Sequence, residues 1–199
     1  ARVHRRFDLR VTEPLSPIET RSLLRIGGQH NNMRYFACAS PSEVECLDSL
    51  LSHSRSTNNR CNAYYLRGYC GNVRDVQQLL RALEELPERT SGLAMYHETW
   101  AIITSIGVLA ARGIPSADTA LDCMLTRQFW VRNASVSGDE PETVILANHL
   151  VVVRALFHAL AIADRLGSDE YARLLSLISD PTERLKVERE LPREAAITG

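Results

Sequence analysis

Histidine and cysteine are considered first, because their side chains bind metal ions and act as bases or nucleophiles. The chain of 199 residues contains six histidines and five cysteines. His149 and His158 are nine residues apart, which on an ideal helix places them on opposite sides. His97-Glu98 lacks the second histidine that the zinc motif HExxH requires. The histidines therefore predict core or surface residues and no metal site.

The cysteines indicate free thiols in a reducing, intracellular compartment. Their number is odd, and the chain is longer than the small secreted domains that depend on disulfides. No two of them have the CxxC spacing of a redox or zinc motif. A catalytic cysteine–histidine pair can still form between residues that are distant in sequence. An enzyme is therefore the least favoured of three hypotheses, and we expect no catalytic residue, no metal and no cofactor.

Arginine is the strongest candidate for contact with a partner. Of the 23 basic residues, 22 are arginine and one is Lys186. The guanidinium group of arginine forms two hydrogen bonds to one phosphate and stacks on bases. Codon usage in a GC-rich genome produces the same bias, and it also explains the arginines of the acidic half. Four arginines lie in the first ten residues, a fifth lies within a polar loop at 52–59, and a sixth directly follows that loop. The predicted RNA-binding residues, acting through phosphate contacts, are Arg2, Arg5, Arg6, Arg10, Arg55 and Arg60.

The charge is divided unevenly along the chain, although the total is only −1. Residues 1–81 carry 12 arginines and 7 acidic residues, a net charge of +5. Residues 82–199 carry 11 basic and 17 acidic residues, a net charge of −6. A basic front half that faces RNA and an acidic back half that meets protein would explain the asymmetry, and so would ordinary surface charge.

The elements that must position these residues are predicted to be helices. Ser-Pro-x-Glu occurs at 16–19 and 40–43, and Asp-Pro-Thr-Glu at 180–183. Each supplies a capping side chain, a proline at the first helical position and a glutamate at the third. Apolar residues with a period of 3.6 follow these starts, and no Asn-Gly or Asp-Gly hairpin separates alternating apolar runs. A globular composition of 45% hydrophobic residues supports a packed core. The sequence predicts an all-α fold.

The segment 143–166 is the most apolar, and its length would suffice to cross a bilayer. Asn148, His149, Arg154 and His158 interrupt it, and an arginine near the bilayer centre is costly. We therefore predict a central core helix and no contact with a membrane.

Helix pairs recur along the chain. The apolar positions of 76–83 repeat in 117–124 with an offset of 41, and those of 44–51 repeat in 76–83 with an offset of 32. Offsets of this size are typical of stacked antiparallel helix hairpins, a short α-solenoid. We divide the chain into a basic N-terminal arm (1–15), a helical-repeat domain (16–180) and a charged C-terminal helix and tail (181–199). The alternating charges of the tail suit an exposed helix.

Two stretches resemble pentatricopeptide repeats. One joins Asn62–Cys70 to Val73–Leu80, and the other joins Trp100–Gly113 to Ala117–Met124. Each shows an aromatic-led first helix and a second apolar helix, with a turn glycine between the helices of the second stretch. The resemblance is clearest over 60–125. It implies a right-handed stack of hairpins like that of pentatricopeptide and tetratricopeptide proteins.

The same resemblance implies binding of single-stranded RNA, and many members of the family act in organelles. Family members read bases with a small polar residue early in the first helix. Thr104 lies at that position in one repeat, and Tyr64, which departs from the pattern, lies there in the other. The uneven, arginine-rich repeats are also similar to subunits of kinetoplastid mitochondrial ribosomes and RNA-processing complexes.

These observations predict a non-catalytic structural or RNA-associated subunit of a large organellar ribonucleoprotein. The arginine-rich start could follow a removed presequence, which predicts a mitochondrial location. The expected partners are other protein subunits of the complex and RNA. The alternative is a helical-repeat adaptor that binds protein without contacting RNA.

Overall fold

Eight helices follow one another along the part of the chain that the computed structural model describes, residues 54–86, 92–134 and 142–198. No strand occurs within these ranges, so the all-α prediction is confirmed there. The arm, the predicted helices that begin at 16 and 40, Cys38 and Cys46 lie outside the described residues. The helices are α1 (Thr57–Cys70), α2 (Val73–Glu84), α3 (Gly92–Ala111), α4 (Pro115–Met124), α5 (Arg127–Ala134), α6 (Glu142–Ile162), α7 (Ser168–Ser176) and α8 (Pro181–Thr198).

Capping side chains start two of these helices, α2 and α8. The Asn72 side chain accepts a hydrogen bond from the Arg74 backbone N–H (2.9 Å), and Asp75 Oδ2 accepts one from the Asn72 N–H (2.7 Å). Asp180 Oδ1 accepts from the backbone N–H groups of Thr182 (2.7 Å) and Glu183 (3.1 Å). These bonds satisfy N–H groups that have no partner within the helix. The predicted start at 180–183 is thereby confirmed.

Helix α3 is the centre of the packing. Every residue from Glu98 to Ala110 except Trp100 is buried, and α3 packs most extensively against α1 on one side and α6 on the other. Arg60 of α1 contacts Glu98, and Gly68 further along α1 meets Ser105. Because the contacts advance together along both helices, α1 and α3 run in the same direction.

Two glycines bring α3 close to its neighbours. A Cβ on Gly68 would lie 2.9 Å from the Cα of Ser105, and a Cβ on Gly107 would lie 2.7 Å from the Cα of Ala159. Real Cβ atoms do not approach backbone atoms so closely. The absence of a side chain at these positions therefore sets the spacing of α1, α3 and α6.

The shorter helices cover the long ones. α2 and α4 pack against each other and against α3, whereas α7 and α8 pack against α6. The buried residues of α2 include Val76, Leu79 and Leu83, and those of α4 are Ala117, Ala120, Leu121 and Met124. Three of the four pairs that the predicted offset of 41 residues relates are buried in both helices, and the fourth pairs half-buried Leu80 with buried Leu121.

Helix α6 is a core helix, as predicted. Val153, Ala155, Leu156, Ala159 and Leu160 have no exposed surface. Among the described residues, none of the helices combines the length and the apolarity that a membrane crossing needs.

Two elements differ from the sequence-based expectation. Helix α5 was not predicted, because its apolar face is short; the Trp130 indole N–H donates to the Met124 carbonyl (2.6 Å) and ties α5 to α4. The alternating charges of α8 suggested an exposed helix, yet Val187 and Leu191 are buried. Two apolar residues one turn apart are enough to pack α8 against α6.

Replacing Gly107 with alanine tests the close approach of α3 and α6. In most helix interiors this change stabilises by about 0.5–1 kcal/mol. Here the added methyl group meets backbone atoms of Ala159, so we expect Gly107→Ala to lower the free energy of unfolding by about 1–3 kcal/mol. Urea denaturation followed by circular dichroism measures the change. Equal or greater stability of the variant would contradict the packing described.

Candidate functional site

Arg60, one of the six predicted RNA-binding residues, is held inside the protein. Its Nη2 and Nε donate to Glu98 Oε1 at 2.6 and 3.0 Å, and its Nη1 donates to the Ser54 carbonyl at 2.8 Å. Only 11% of the Arg60 side chain is exposed. The hydrogen bond with Glu98 raises the pKa of the Arg60 guanidinium, so the group stays charged. This geometry gives Arg60 a structural role, because Glu98 and the Ser54 carbonyl already accept hydrogen bonds from its guanidinium.

Glu98 is the acceptor at the centre of this network. Its carboxylate is fully buried between α1 and α3, and its Oε2 accepts a hydrogen bond from the Tyr64 hydroxyl (3.1 Å). A buried carboxylate is costly unless it is paired and hydrogen-bonded. Sequence reasoning considered Glu98 only as part of a zinc motif. The signal that was available is that Glu98 is the single acidic residue of a twenty-residue apolar helix.

Arg55 has a different environment. It lies in the short segment before α1 and is exposed, so a phosphate could reach its guanidinium. The other four predicted residues, Arg2, Arg5, Arg6 and Arg10, lie outside the described residues. The structure thus separates the two arginines of this region, with Arg60 turned inward and Arg55 left at the surface.

Two arginines that the sequence did not single out connect helices that are distant in sequence. Arg112 follows α3 and donates to the carbonyls of Gly68 (2.9 Å) and Gly71 (2.8 Å) at the end of α1. Arg165 follows α6 and donates to Asp118 Oδ1 (3.2 Å) and Asp122 Oδ1 (2.8 Å) of α4. Each arginine comes just after a long helix and binds a helix that lies earlier in the chain. Part of the arginine content therefore has a structural use.

The two positions at which the resemblance places base-reading residues are buried. Thr104 has no exposed surface and Tyr64 is 3% exposed. Thr104 lies within the fully buried part of α3, and the Tyr64 hydroxyl donates to Glu98. In this packing neither side chain can reach a base in the way that the resemblance implies.

An aromatic cluster lies where α3 meets α6. The rings of Tyr96 and Trp100 are stacked, with centroids 6.4 Å apart and planes inclined by 17°. The ring of His158, on α6, also stacks on Trp100, with centroids 5.6 Å apart and planes inclined by 29°. All three side chains are half-buried, and neighbouring His97 is exposed. We call Tyr96, Trp100 and His158 the aromatic stack. Sequence reasoning missed it, although aromatic residues four apart at the start of a helix are a visible signal.

Cys61 is the buried cysteine among the described residues. Burial, reinforced by the Glu98 charge, raises the pKa of the Cys61 thiol to about 12. The thiol therefore stays protonated at neutral pH, and the thiolate is the reactive form. Cys70 is half-buried and Cys123 is exposed. Within the described ranges, no three histidine, cysteine or acidic side chains come together as a metal site would require.

Comparison with known proteins gives no relative. A scan of protein-family models finds no match to the chain, and searches of curated proteins and of solved structures find no similar protein. The resemblance to pentatricopeptide repeats therefore rests on the sequence motifs and stays a prediction.

A pair of arginine variants tests the roles of Arg60 and Arg55. Arg60→Ala leaves the Glu98 carboxylate buried without its cation, so we expect a loss of about 3–5 kcal/mol of unfolding free energy. Arg55→Ala removes an exposed side chain and should change stability by less than about 0.5 kcal/mol. Urea denaturation measures both values. An Arg60→Ala protein as stable as Arg55→Ala would show that the ion pair contributes nothing.

Alkaline pH tests the burial of Cys61. The unfolded chain releases this proton near the ordinary pKa of 9.0, whereas the native protein holds it to about 12. Between these values the unfolded state binds fewer protons, so stability falls as pH rises, by up to about 1.4 kcal/mol per pH unit. Burial also raises the pKa of Tyr65 and Tyr69, which adds to the fall at higher pH.

We expect Cys61→Ala to flatten the fall between pH 9 and 10, as measured by urea denaturation at each pH. Cys123→Ala, which removes an exposed thiol, is the control and should leave the pH dependence unchanged. An unchanged pH dependence in Cys61→Ala would contradict the environment described for Cys61.

Proposed function

We propose that this protein is a non-catalytic helical-repeat subunit of a ribonucleoprotein, in which stacked hairpins hold protein neighbours and arginines contact RNA phosphates. The observation that carries the proposal is the packing of α1, α3 and α6 side by side, with α2 and α4 laid over them. A stack of this kind offers extended surfaces to large partners. The organellar setting, a mitochondrial ribosome or RNA-processing complex, is the one that the sequence resemblance implies.

The recurrence of one burial pattern supports the repeat part of the proposal. Buried or half-buried residues occupy the spacing i, i+3, i+4, i+7 in α2 from Val76, in α4 from Ala117 and around α7 from Tyr171. Each of these helices is preceded by one of the long helices, α1, α3 and α6, with α5 also lying between α4 and α6. Three units with the same order and the same buried spacing are what a short α-solenoid would produce. The unequal offsets between them fit degenerate repeats.

Arginines outside the packed interior support the RNA part. Arg55 is exposed, and the arm carries Arg2, Arg5, Arg6 and Arg10 in ten residues. Contacts to phosphates position a protein on RNA without reading sequence. This mode also agrees with the burial of Thr104 and Tyr64, since it needs no base-reading side chain in the repeats.

The second candidate is a protein–protein adaptor without RNA contact. Exposed apolar side chains favour it: Leu93 at the start of α3 is 72% exposed, and Val73 at the start of α2 is 53% exposed. Apolar residues at such positions can anchor a partner helix. The two candidates differ in what happens when cations are removed, because only RNA binding releases counterions in proportion to the phosphates contacted.

Neutralising the arm tests the proposal. We expect replacement of Arg2, Arg5, Arg6 and Arg10 by glutamine to weaken binding to single-stranded RNA. Each lost phosphate contact should also reduce the slope of log affinity against log salt by about 0.7. Fluorescence anisotropy with labelled RNA at several salt concentrations gives both quantities.

The matched control replaces four exposed cations of the acidic half by glutamine, namely Arg127, Arg184, Lys186 and Arg189. This variant should keep the salt slope of the unmodified protein. If the arm variant also keeps it, the arm has no part in RNA binding. If the unmodified protein shows no salt-dependent RNA binding, the adaptor is the better account.

A further inference from the structure

The short segment before α1 is held by hydrogen bonds that converge on Ser54. The Ser54 carbonyl accepts a hydrogen bond from Arg60 Nη1 at 2.8 Å. The Ser54 hydroxyl oxygen accepts from the Ser56 backbone N–H at 3.2 Å and from Asn59 Nδ2 at 3.0 Å. Residues 54–56 belong to no helix. The backbone on both sides of Arg55 is nevertheless tied to α1.

Helix α3 anchors these bonds through Arg60. The buried Glu98 carboxylate accepts hydrogen bonds from Arg60 Nη2 and Nε. The same guanidinium donates to the Ser54 carbonyl and, at 3.3 Å, to Thr57 Oγ1. Separating a buried carboxylate from its cation would leave a charge unpaired in the interior. Arg60 is therefore held in one position, and it holds Ser54 in turn.

Arg55 differs from its neighbours because its side chain is left at the surface. It is exposed, and in the part of the chain that the structure describes its guanidinium makes no hydrogen bond or ion pair. Ser54 and Ser56 on either side are both hydrogen-bonded. An ordered backbone lowers the conformational entropy that a contact of Arg55 with a ligand would otherwise lose.

The charges close to Arg55 favour an anion as that ligand. The first turn of α1, which follows Arg55 directly, contains no acidic residue. Glu98, the acid that faces this turn from α3, has no exposed surface and is paired with Arg60. A guanidinium group remains charged and matches the geometry of a phosphate.

We propose that Arg60 and Ser54 are positioning residues, which hold Arg55 in place to bind a phosphate of single-stranded RNA. This inference rests on the proposed function, because it assigns to Arg55 a share of the phosphate contacts. Arg60, which the sequence predicts to bind RNA itself, acts here through Ser54. Ser54 acts through the backbone of the residue that follows it.

Ser54→Ala tests this arrangement without breaking the buried ion pair. It removes the hydroxyl that accepts from Ser56 and Asn59, and it leaves the carbonyl that accepts from Arg60. The probe is a labelled oligouridylate of about 12 nucleotides, within the usual site size of proteins that bind single strands. We expect Ser54→Ala in the full-length protein to weaken binding by about 2- to 5-fold, as measured by fluorescence anisotropy.

Two further variants serve as controls for Ser54→Ala. Ser54→Thr keeps the hydroxyl and should bind as the unmodified protein does. Ser56→Ala is the same substitution two residues later. Because the Ser56 side chain makes no capping hydrogen bond, this variant should also retain affinity.

Arg55→Gln distinguishes positioning from a general loss of structure. It should weaken binding by about 2- to 10-fold and reduce the slope of log affinity against log salt by about 0.7. If Ser54 acts through Arg55, adding Ser54→Ala to Arg55→Gln should cause no further loss, because the two residues are coupled. A merely structural effect would lower affinity by the same factor with and without Arg55.

The outcomes separate this inference from the proposed function. An equal effect of Ser54→Ala in both proteins, or an equal loss in Ser54→Thr, would overturn the positioning role. Unchanged affinity in Ser54→Ala, or a loss that only follows a lower urea midpoint, would do the same. RNA binding with an arm-dependent salt slope that Arg55→Gln does not affect would overturn the inference and leave the proposed function standing. No binding of single-stranded RNA by the unmodified protein would overturn both.

Discussion

The arrangement of the described residues depends on how closely α3 approaches the helices on either side. Gly68 and Gly107 leave no room for a methyl group against Ser105 and Ala159. At such distances the contacts include backbone atoms, so dispersion forces act along much of each helix. The buried middle of α3 supplies the apolar surface, and the two glycines set how closely α1 and α6 pack against it. The positions of Glu98 and Trp100 follow from this spacing, since each faces a neighbouring helix held at a fixed distance.

Ionic contacts add specificity to this apolar packing. Arg60 meets Glu98 between α1 and α3, Arg112 binds carbonyls at the end of α1, and Arg165 binds Asp118 and Asp122 of α4. A helix packed only by apolar residues can shift along its neighbour, whereas a buried ion pair forms in only one register of the two helices. The arginines of the described residues thus divide into those that hold helices together and those that remain at the surface. Arg112 and Arg165 show that the acidic half contributes to the first group.

Sequence reasoning predicted the helices well and their contacts poorly. The period of 3.6 located α2 and α4, and Asp180 with the following proline located the start of α8. These signals are local, because they depend on hydrogen bonds and burial within one helix. Helix α5 was missed because it has little apolar periodicity. The burial of α8 on α6 was missed because charges outnumber Val187 and Leu191.

The candidate site was harder to predict because its partners are distant in sequence. Arg60 and Glu98 are 38 residues apart, and Trp100 and His158 are 58 apart. A single sequence shows an arginine near a polar loop and gives no indication that a glutamate on another helix will hold it. The direction in which each side chain points depends on the spacing of the long helices. That spacing depends in turn on glycines whose role is visible only once the helices are packed.

We propose that this helical protein serves as a subunit of a particle that contains RNA. Sedimentation of the native protein from cell lysate, with and without RNase, tests that proposal most directly. The protein is expected to migrate with a large particle and to shift to light fractions after RNase treatment. Migration as a small species that RNase does not affect would contradict it.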